Sequence, residues 1–188
     1  MPKLAEAAEG RRVVLFVDAA HFVYGAFLGY LLSFARIFVK TPSGRRRFNV
    51  LGAVDAMSQK ITAICNETYI NSFTVCDLMM KIVNDYKKLP ITLVMDNAKY
   101  QRCDLVMGLA NELGIEILFL PTYSPNLNLI ERYWKFLKKK CLRSKYYENF
   151  VLFKAAIMNG LDRSNHEWKT QLESLLTTNF QSFDNAKI

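Results

Sequence analysis

Histidine and paired cysteines are scarce in this chain of 188 residues. It contains two histidines, His21 and His166, and no two cysteines form a C-x-x-C pair. Zinc fingers need cysteine and histidine at short, regular spacings, so this class of protein is excluded. Unpaired cysteines are typical of a reduced compartment, and we expect a cytoplasmic protein. The four cysteines are Cys65, Cys76, Cys103 and Cys141.

Long hydrophobic runs are also lacking. The longest stretch without a charged residue, residues 19–35, has 17 residues and includes a histidine, two glycines and a serine. A bilayer span needs about 20 mostly apolar residues. We therefore interpret this stretch as buried strand and turn, and we expect no membrane association. Residues 1–12 carry five charges and no long apolar run, so we expect no secretory signal.

The chain does have enough apolar material for a core. Its residues are 51% hydrophobic and 13% aromatic. Chains that stay unfolded lack such surface to bury, so disorder is excluded. A chain of this length buries roughly 70% of the surface that its unfolded form exposes, which suffices for one globular domain without disulfides. We find no internal repeat and no low-complexity tract.

Acidic residues are absent from one strongly basic segment, residues 132–145, which supplies most of the net charge of +8. A lysine-rich helix often has only a solvated face. Aromatic residues lie among these charges, however, and that mixture favours a nucleic-acid partner. A second, smaller basic cluster consists of Arg45, Arg46 and Arg47. The basic residues of the segment are Arg132, Lys135, Lys138, Lys139, Lys140, Arg143 and Lys145.

Short apolar runs predict five strands. Two of them, VVLFV and ITLVM, are unbroken runs that are typical of strands covered on both faces, and they end at Asp18 and Asp96. The first three strands together favour an antiparallel meander. The predicted strands are residues 13–17, 48–54, 59–65, 91–95 and 115–120.

Apolar residues at helical spacing alternate with the later strands. One helix follows a cap at Asn71 or Ser72 and is stopped by Pro90, a second is closed by Gly114, and a long one starts near Asn128. We expect an α/β domain: a mixed sheet, with an antiparallel meander followed by parallel strands, flanked by helices. Two further helices are predicted at residues 148–161 and 166–180. The expected parts are a linker at 1–12, a main domain at 13–160 and a packed helical tail at 161–188.

Three carboxylates are candidates for a catalytic site. Asp18 and Asp96 each end a hydrophobic strand, where a buried charge is costly unless it is hydrogen-bonded, solvated or bound to a cation. Open α/β sheets build their sites at the carboxyl ends of such strands. If the two strands are neighbours, both carboxylates face one crevice. Glu131 lies in the first turn of the helix with the basic face, and the 34 residues after Asp96 leave room for it to reach the same point.

Three neighbouring carboxylates repel one another, and a divalent ion relieves this repulsion. Oxygen ligands without a histidine or cysteine cluster favour Mg²⁺, with Mn²⁺ able to replace it. Two such ions, about 3.5–4 Å apart, stabilise the attacking and leaving oxygens of an in-line phosphoryl transfer. The pattern thus indicates phosphodiester cleavage or strand transfer.

Each carboxylate also has a structural interpretation. Asp18 and Asp96 are plausible helix or turn caps. The sequence from Asn128 to Glu131 is typical of a capping box, in which the glutamate reaches back to the cap residue. His21, close to Asp18, is interpreted as a polar residue at the rim of the site and not as a ligand.

The sequence blocks around these carboxylates resemble a known family. The blocks VLFVDAAHF, TLVMDNAKYQ and LPTYSPNLNLIERYWKFLKK are similar to the three signature blocks of DDE transposases, in the mariner-like superfamily of bacterial insertion sequences. The resemblance covers residues 11–160. It implies a ribonuclease H-like fold in which Asp18, Asp96 and Glu131 bind two Mg²⁺ ions.

The resemblance also implies a substrate and partners. Such enzymes cut double-stranded DNA at transposon ends and use the freed 3′ hydroxyl to attack target DNA, usually at a TA dinucleotide, as a homodimer in the bacterial nucleoid. Asn97 and Asn128 match motif positions and would orient ligands or substrate. Helical geometry places Lys135 and Lys138 on nearly the same face as Glu131, so we expect them, with Lys139, to contact DNA phosphates. The DNA-binding set also includes Arg45, Arg46 and Arg47.

Two features leave other functions open. Relatives carry an N-terminal helix-turn-helix region, whereas about 12 residues precede the first strand here, so we expect this chain to be the catalytic part of such a protein. It could be a product of a split reading frame or a decayed copy that only binds nucleic acid. Another ribonuclease H-like nuclease, such as a junction resolvase, shares the metal site, but the YSPNLNLIE block disfavours it.

Overall fold

A mixed sheet of five strands organises the chain in the computed structural model, which describes residues 2–25, 34, 46–121 and 127–178. The strand order is β3-β2-β1-β4-β5. β1 pairs antiparallel with β2, and β2 with β3, whereas β1, β4 and β5 run parallel. This confirms the predicted meander followed by parallel strands. The strands are β1 (Val13–Val23), β2 (Arg47–Asp55), β3 (Ile61–Asn66), β4 (Ile91–Met95) and β5 (Ile115–Phe119).

Six helices accompany these strands in the described part of the chain. The predicted cap of α2 is Asn71, whose side chain accepts a hydrogen bond from the backbone N–H of Thr74, at 3.0 Å. Gly114 ends the segment after α3 with a φ of 66°, as its position predicted. The helices are α1 (Pro2–Ala8), α2 (Ser72–Asp85), α3 (Asp104–Glu112), α4 (Leu129–Cys141), α5 (Phe150–Ser164) and α6 (Lys169–Leu175).

The first strand is longer than the sequence predicted. It does not end at Asp18 but continues to Val23, because the antiparallel pairing with β2 extends to the pair Val23↔Arg47. The parallel pairing with β4 stops earlier, at Val17↔Met95. Asp18 therefore lies within a strand, but directly beyond the last parallel pair.

Residues 1–12 do not form the predicted linker, since they contain α1. Ala7 of this helix is buried in the core. Arg12 anchors the segment: its guanidinium donates to Glu6 at 2.7 Å, to Thr92 at 2.8 Å and to Glu116 at 2.9 Å. Arg12 and Glu6, two of the charged residues in this segment, thus connect α1 to β4 and β5.

Alternating side chains give the sheet two buried faces. On one face, Phe16 and Val54 pack with residues of α4, α5 and α6. On the other face, Leu15 and Leu93 pack with α2 and α3. Asp18 has the same parity as Phe16 along β1, so its side chain points to the face that α4 covers. In the described residues, no helix is both long and apolar enough to cross a membrane.

Gly160 provides a test of the packing between α4 and α5. A Cβ at this position would lie 2.5 Å from the Cys141 sulfur and 2.9 Å from a Leu137 methyl group. We expect Gly160→Ala to lower the free energy of unfolding by about 1–3 kcal/mol through overpacking. Gly108→Ala in α3 is the matched control, because no atom lies within 4 Å of its added Cβ. It should instead stabilise by about 0.5–1 kcal/mol. Urea unfolding measures the change in unfolding free energy of both variants, and changes of the same sign would contradict the prediction.

Candidate active site

Asp18 and Asp96 lie side by side at the carboxyl end of the parallel strands. Each directly follows a residue of the last parallel pair, Val17↔Met95. Asp18 is half-buried, whereas Asp96, just after β4, is exposed. The predicted meeting of the two carboxylates at one edge of the sheet therefore takes place, and it follows from the register of β1 against β4.

The N-terminal part of α4 brings Glu131 to the same edge. Helix α4 packs against β1 and β2, and Glu131 is its third residue. One turn further along, the indole N–H of Trp134 donates a hydrogen bond to the Asp18 carboxylate, at 3.1 Å. This bond fixes the first turns of α4 against the strand that carries Asp18.

The three carboxylates influence one another electrostatically. The pKa of Asp18 is raised from 3.8 to about 6, mainly by burial; the negative charges of Asp96 and Glu131 add to the rise, while hydrogen bonds from the Ala19 backbone and Trp134 oppose it. Burial also raises the pKa of Glu131; Lys135 opposes this and Asp96 adds to it. The charges thus share one crevice, in which proton uptake or a cation relieves their repulsion.

The donor chemistry of this crevice fits a hard divalent cation. All three candidate ligands are carboxylates, which are the donors that Mg²⁺ and Mn²⁺ prefer. Among the described residues, however, no three Asp, Glu, His or Cys side chains are grouped tightly enough to hold one ion. The carboxylates are therefore near neighbours that do not converge on a single point.

The predicted capping box at the start of α4 is wrong. Asn128 occupies the N-cap position, but its side chain makes no cap hydrogen bond. Its amide is 2% exposed, and neither its oxygen nor its nitrogen has a hydrogen-bond partner. A capping box needs hydrogen bonds in both directions between the cap residue and the third helical residue. Because the Asn128 side chain makes no such bond, this observation favours a role for Glu131 in the site.

The other predicted supporting and rim residues take different positions. Asn97 is exposed, and its side-chain oxygen accepts a hydrogen bond of 3.4 Å from Arg102. His21 shares a hydrogen bond of 2.6 Å with the Asn49 side chain, through its Nδ1. His21 thus makes a polar contact three residues beyond Asp18.

The predicted DNA-binding lysines extend from the carboxylates along α4. Lys135 and Lys139 are exposed, while Lys138 is half-buried with its ammonium 5.7 Å from the centre of the Phe22 ring. Since Phe22 belongs to β1, Lys138 lies on the side of the helix that faces the catalytic strand. The helix therefore presents cations beside the acidic crevice.

The predicted arginine cluster is partly engaged in other contacts. Arg46 pairs with Glu67 at 3.5 Å and stacks 3.9 Å from the Phe150 ring centre. Arg47 is exposed and pairs with Val23, five residues beyond Asp18 along β1, or about 17 Å away. Arg45 lies outside the described residues.

Sequence reasoning missed three residues of the site. Helical spacing accounts for Trp134 only as an apolar residue of the helix that starts near Asn128. Gly52 lies opposite Asp18 in β2, and a Cβ there would lie 2.6 Å from the Trp134 ring. A glycine within an apolar strand often marks such a close approach, and this was the available signal. Tyr100 is the third: burial raises its pKa, and the charges of Asp18 and Asp96 add to the effect.

The sequence matches one family model. Residues 13–151 match the model described as DDE superfamily endonuclease. This range includes the three carboxylates and extends from β1 to the start of α5. No curated protein matches the sequence.

Solved structures match the fold at low sequence identity. A chain of the simian T-cell lymphotropic virus intasome, in complex with PP2A regulatory subunit B56 gamma, has a TM-score of 0.60 and 15% identity over 93% of this chain and 58% of that one. The HTLV-2 integrase catalytic core domain with magnesium, in its dimeric form, has a TM-score of 0.56 and 15% identity, over 81% and 86%. A pre-cleavage Mos1 transpososome has a TM-score of 0.56 and 12% identity, over 97% and 60%.

These similarities concern the fold. The shared architecture is the ribonuclease H-like fold of integrase and transposase catalytic cores, as the sequence predicted. The chain spans about three fifths of the length of the matched intasome and Mos1 chains. Because the family model covers most of the sequence, including Asp18, Asp96 and Glu131, the chain belongs to the family of DDE superfamily endonucleases.

Proposed function

We propose that this chain is the catalytic domain of a DNA transposase, which hydrolyses phosphodiester bonds at transposon ends and transfers the freed strands to target DNA. One observation carries the proposal: Asp18, Asp96 and Glu131 come from three separate elements, and their charges act on one another across one crevice. Family membership and the likeness to a transpososome support it.

Asp18, Asp96 and Glu131 would hold two Mg²⁺ ions, which Mn²⁺ can replace. When bound, such ions stabilise the charge on the attacking and leaving oxygens of an in-line displacement. Trp134 holds the Asp18 carboxylate in place through its indole N–H. The lysines of α4 bind the phosphates of the DNA backbone and so set its position against the carboxylates.

The proposed reaction has two steps of the same kind. In the first step, a water molecule loses a proton and its oxygen bonds to phosphorus, while the bond from phosphorus to the 3′ oxygen breaks and the released 3′ oxygen takes up a proton. In the second step, the freed 3′ hydroxyl loses its proton and attacks a phosphorus of the target. The bond from that phosphorus to its own 3′ oxygen breaks, and the displaced oxygen is protonated.

The proposal extends to partners and location. We propose a homodimer that brings two transposon ends together, acting on target DNA at TA dinucleotides in the bacterial cytoplasm. Support comes from the family resemblance of the sequence blocks and from the dimeric form of the HTLV-2 integrase core. A decayed copy that only binds DNA is less well supported, because all three carboxylates are present.

Metal removal tests the proposed chemistry. Purified protein is incubated with supercoiled plasmid and with an oligonucleotide duplex that ends in a 3′ hydroxyl. We expect nicked circles and covalent joining of the duplex to the plasmid in millimolar Mg²⁺ or Mn²⁺, and neither product in EDTA. Nicking that persists in EDTA, or in a variant with all three carboxylates replaced by alanine, would overturn the proposal. Nicking without joining would mean that the chain is a nuclease without strand-transfer activity.

A further inference from the structure

A basic cleft lies between the C-terminal end of α4 and helix α6, away from the carboxylates. It has a volume of about 500 Å³. No acidic residue contributes to its described lining. The lining residues are Phe136, Lys139, Lys140, Arg143, Ser144 and Gln171.

No ion pair joins the three cations of the cleft to another of the residues that the structure describes. The ion pairs of the described residues involve other basic side chains, such as Arg163 with Glu167 at 2.7 Å. Lys139 and Arg143 are exposed. Like charges collected in one concave surface create a positive potential that attracts an anion.

Aromatic rings hold one of these cations in position. The Lys140 ammonium lies 5.4 Å from the centre of the Phe136 ring and 5.5 Å from that of Trp168. The two rings meet edge to face, with their centres 5.6 Å apart. Lys140 is therefore restrained before any ligand arrives, which lowers the entropy cost of binding.

The cleft continues a row of cations that begins at the candidate active site. Lys135 and Lys139 follow Glu131 at intervals of four residues, so they lie along one ridge of α4, and Arg143 lies two residues beyond the end of this helix. At 1.5 Å per residue, Lys139, the residue of the cleft on this ridge, lies about 12 Å from Glu131 along the helix axis. A DNA strand advances 3.4 Å per base pair, so this distance corresponds to about three to four base pairs.

We propose that the cleft binds a backbone phosphate of the DNA strand whose scissile bond lies at the carboxylates, about three to four base pairs away. The inference rests on the proposed function and adds a second, separate contact to it. The continuous row of cations favours DNA over an acidic protein, because a strand that leaves the carboxylates along α4 reaches the cleft next.

The salt dependence of DNA binding tests the cleft. The variant Lys140→Gln with Arg143→Gln is compared with wild type on a random-sequence duplex, without divalent ions. We expect weaker binding at every salt concentration and a log-log slope shallower by about 0.9, for the one lost phosphate contact. The matched control is Lys87→Gln with Lys88→Gln, exposed cations before the amino end of β4, and its slope should equal that of wild type.

A second variant guards against a folding defect. Gln171→Glu places a negative charge in the cleft without altering its cations or rings, and it should also weaken binding, whereas Gln171→Ala should not. Two outcomes would overturn the cleft as a DNA site. One is a salt-dependence slope of the Lys140 and Arg143 variant equal to that of the Lys87 and Lys88 control, and the other is equal DNA binding by the two Gln171 variants. These readouts need no catalysis. A chain that binds through the cleft but does not nick DNA would overturn the proposed function alone.

Discussion

Replacing Asp18 with asparagine should reduce metal-dependent nicking by about 10³-fold or more, because a lost metal ligand removes several kcal/mol of transition-state stabilisation. Asparagine has nearly the same shape, and its side-chain oxygen can still accept the Trp134 hydrogen bond. Duplex binding in EDTA should therefore remain close to that of wild type. Plasmid nicking rates in millimolar Mg²⁺, together with duplex binding, measure the two effects separately.

The same substitution should stabilise the metal-free fold at neutral pH. Burial and the neighbouring carboxylates raise the pKa of Asp18 from 3.8 to about 6. Below the unfolded pKa, Asp18 is protonated in both states and carries no penalty. As pH rises from about 4 to about 6, the unfolded state loses this proton while the folded state keeps it, so the folded state is progressively destabilised, by up to about 3 kcal/mol above pH 6. Asp18→Asn avoids this cost, so its gain in unfolding free energy should be absent near pH 4, grow between pH 4 and 6, and be complete above pH 6.

A matched control separates the site from charge removal in general. Asp77 is an exposed acid of α2, on the opposite face of the sheet. Asp77→Asn should leave both nicking and the pH dependence of stability unchanged. If Asp18→Asn keeps more than a tenth of the nicking rate, Asp18 is not a ligand of the catalytic ions.

The sequence was sufficient for those features that depend on neighbouring residues. The run ITLVM predicted β4 with its observed bounds, because an unbroken apolar run between Pro90 and Asp96 leaves little choice. The meeting of Asp18 with Asp96 also followed, since parallel strands present their carboxyl ends at one edge of a sheet. For Glu131, the resemblance to known sequence blocks was needed, because its local pattern equally favoured a capping box.

Features set by tertiary contacts could not be predicted in this way. The length of β1 depends on its pairing with β2, a strand that begins about 24 residues after β1 ends. The failed capping box reflects the burial of the Asn128 amide, which nothing in the local sequence reveals. Trp134 has both an apolar ring and an N–H donor. Only the position of α4 over Gly52 shows that the ring packs on β2 while the N–H donates to Asp18.

The hydrogen bond from Trp134 to Asp18 leads to the last prediction, in which Trp134→Phe removes the donor and keeps an aromatic ring. Burial is the main cause of the raised pKa of Asp18, and the indole N–H opposes it. Without this donor, the pKa of Asp18 should rise above 6, so protons compete more strongly with metal for the carboxylate. A hydrogen bond to a charged group contributes about 1.5–3 kcal/mol. Proton competition at neutral pH should therefore raise the Mg²⁺ concentration for half-maximal nicking by about 2- to 15-fold.

A purely structural role for Trp134 would not shift the acid limb of the pH profile. We expect this limb to move to higher pH in Trp134→Phe and much of the activity to return under mildly alkaline conditions, where Asp18 is again ionised. Trp168→Phe is the control, because Trp168 is buried in the same core cluster but packs against Phe136. It should lower stability while the acid limb and the Mg²⁺ requirement stay as in wild type. If Trp134→Phe behaves like Trp168→Phe in both readouts, the indole N–H does not position Asp18, and α4 contributes Glu131 and its cations alone.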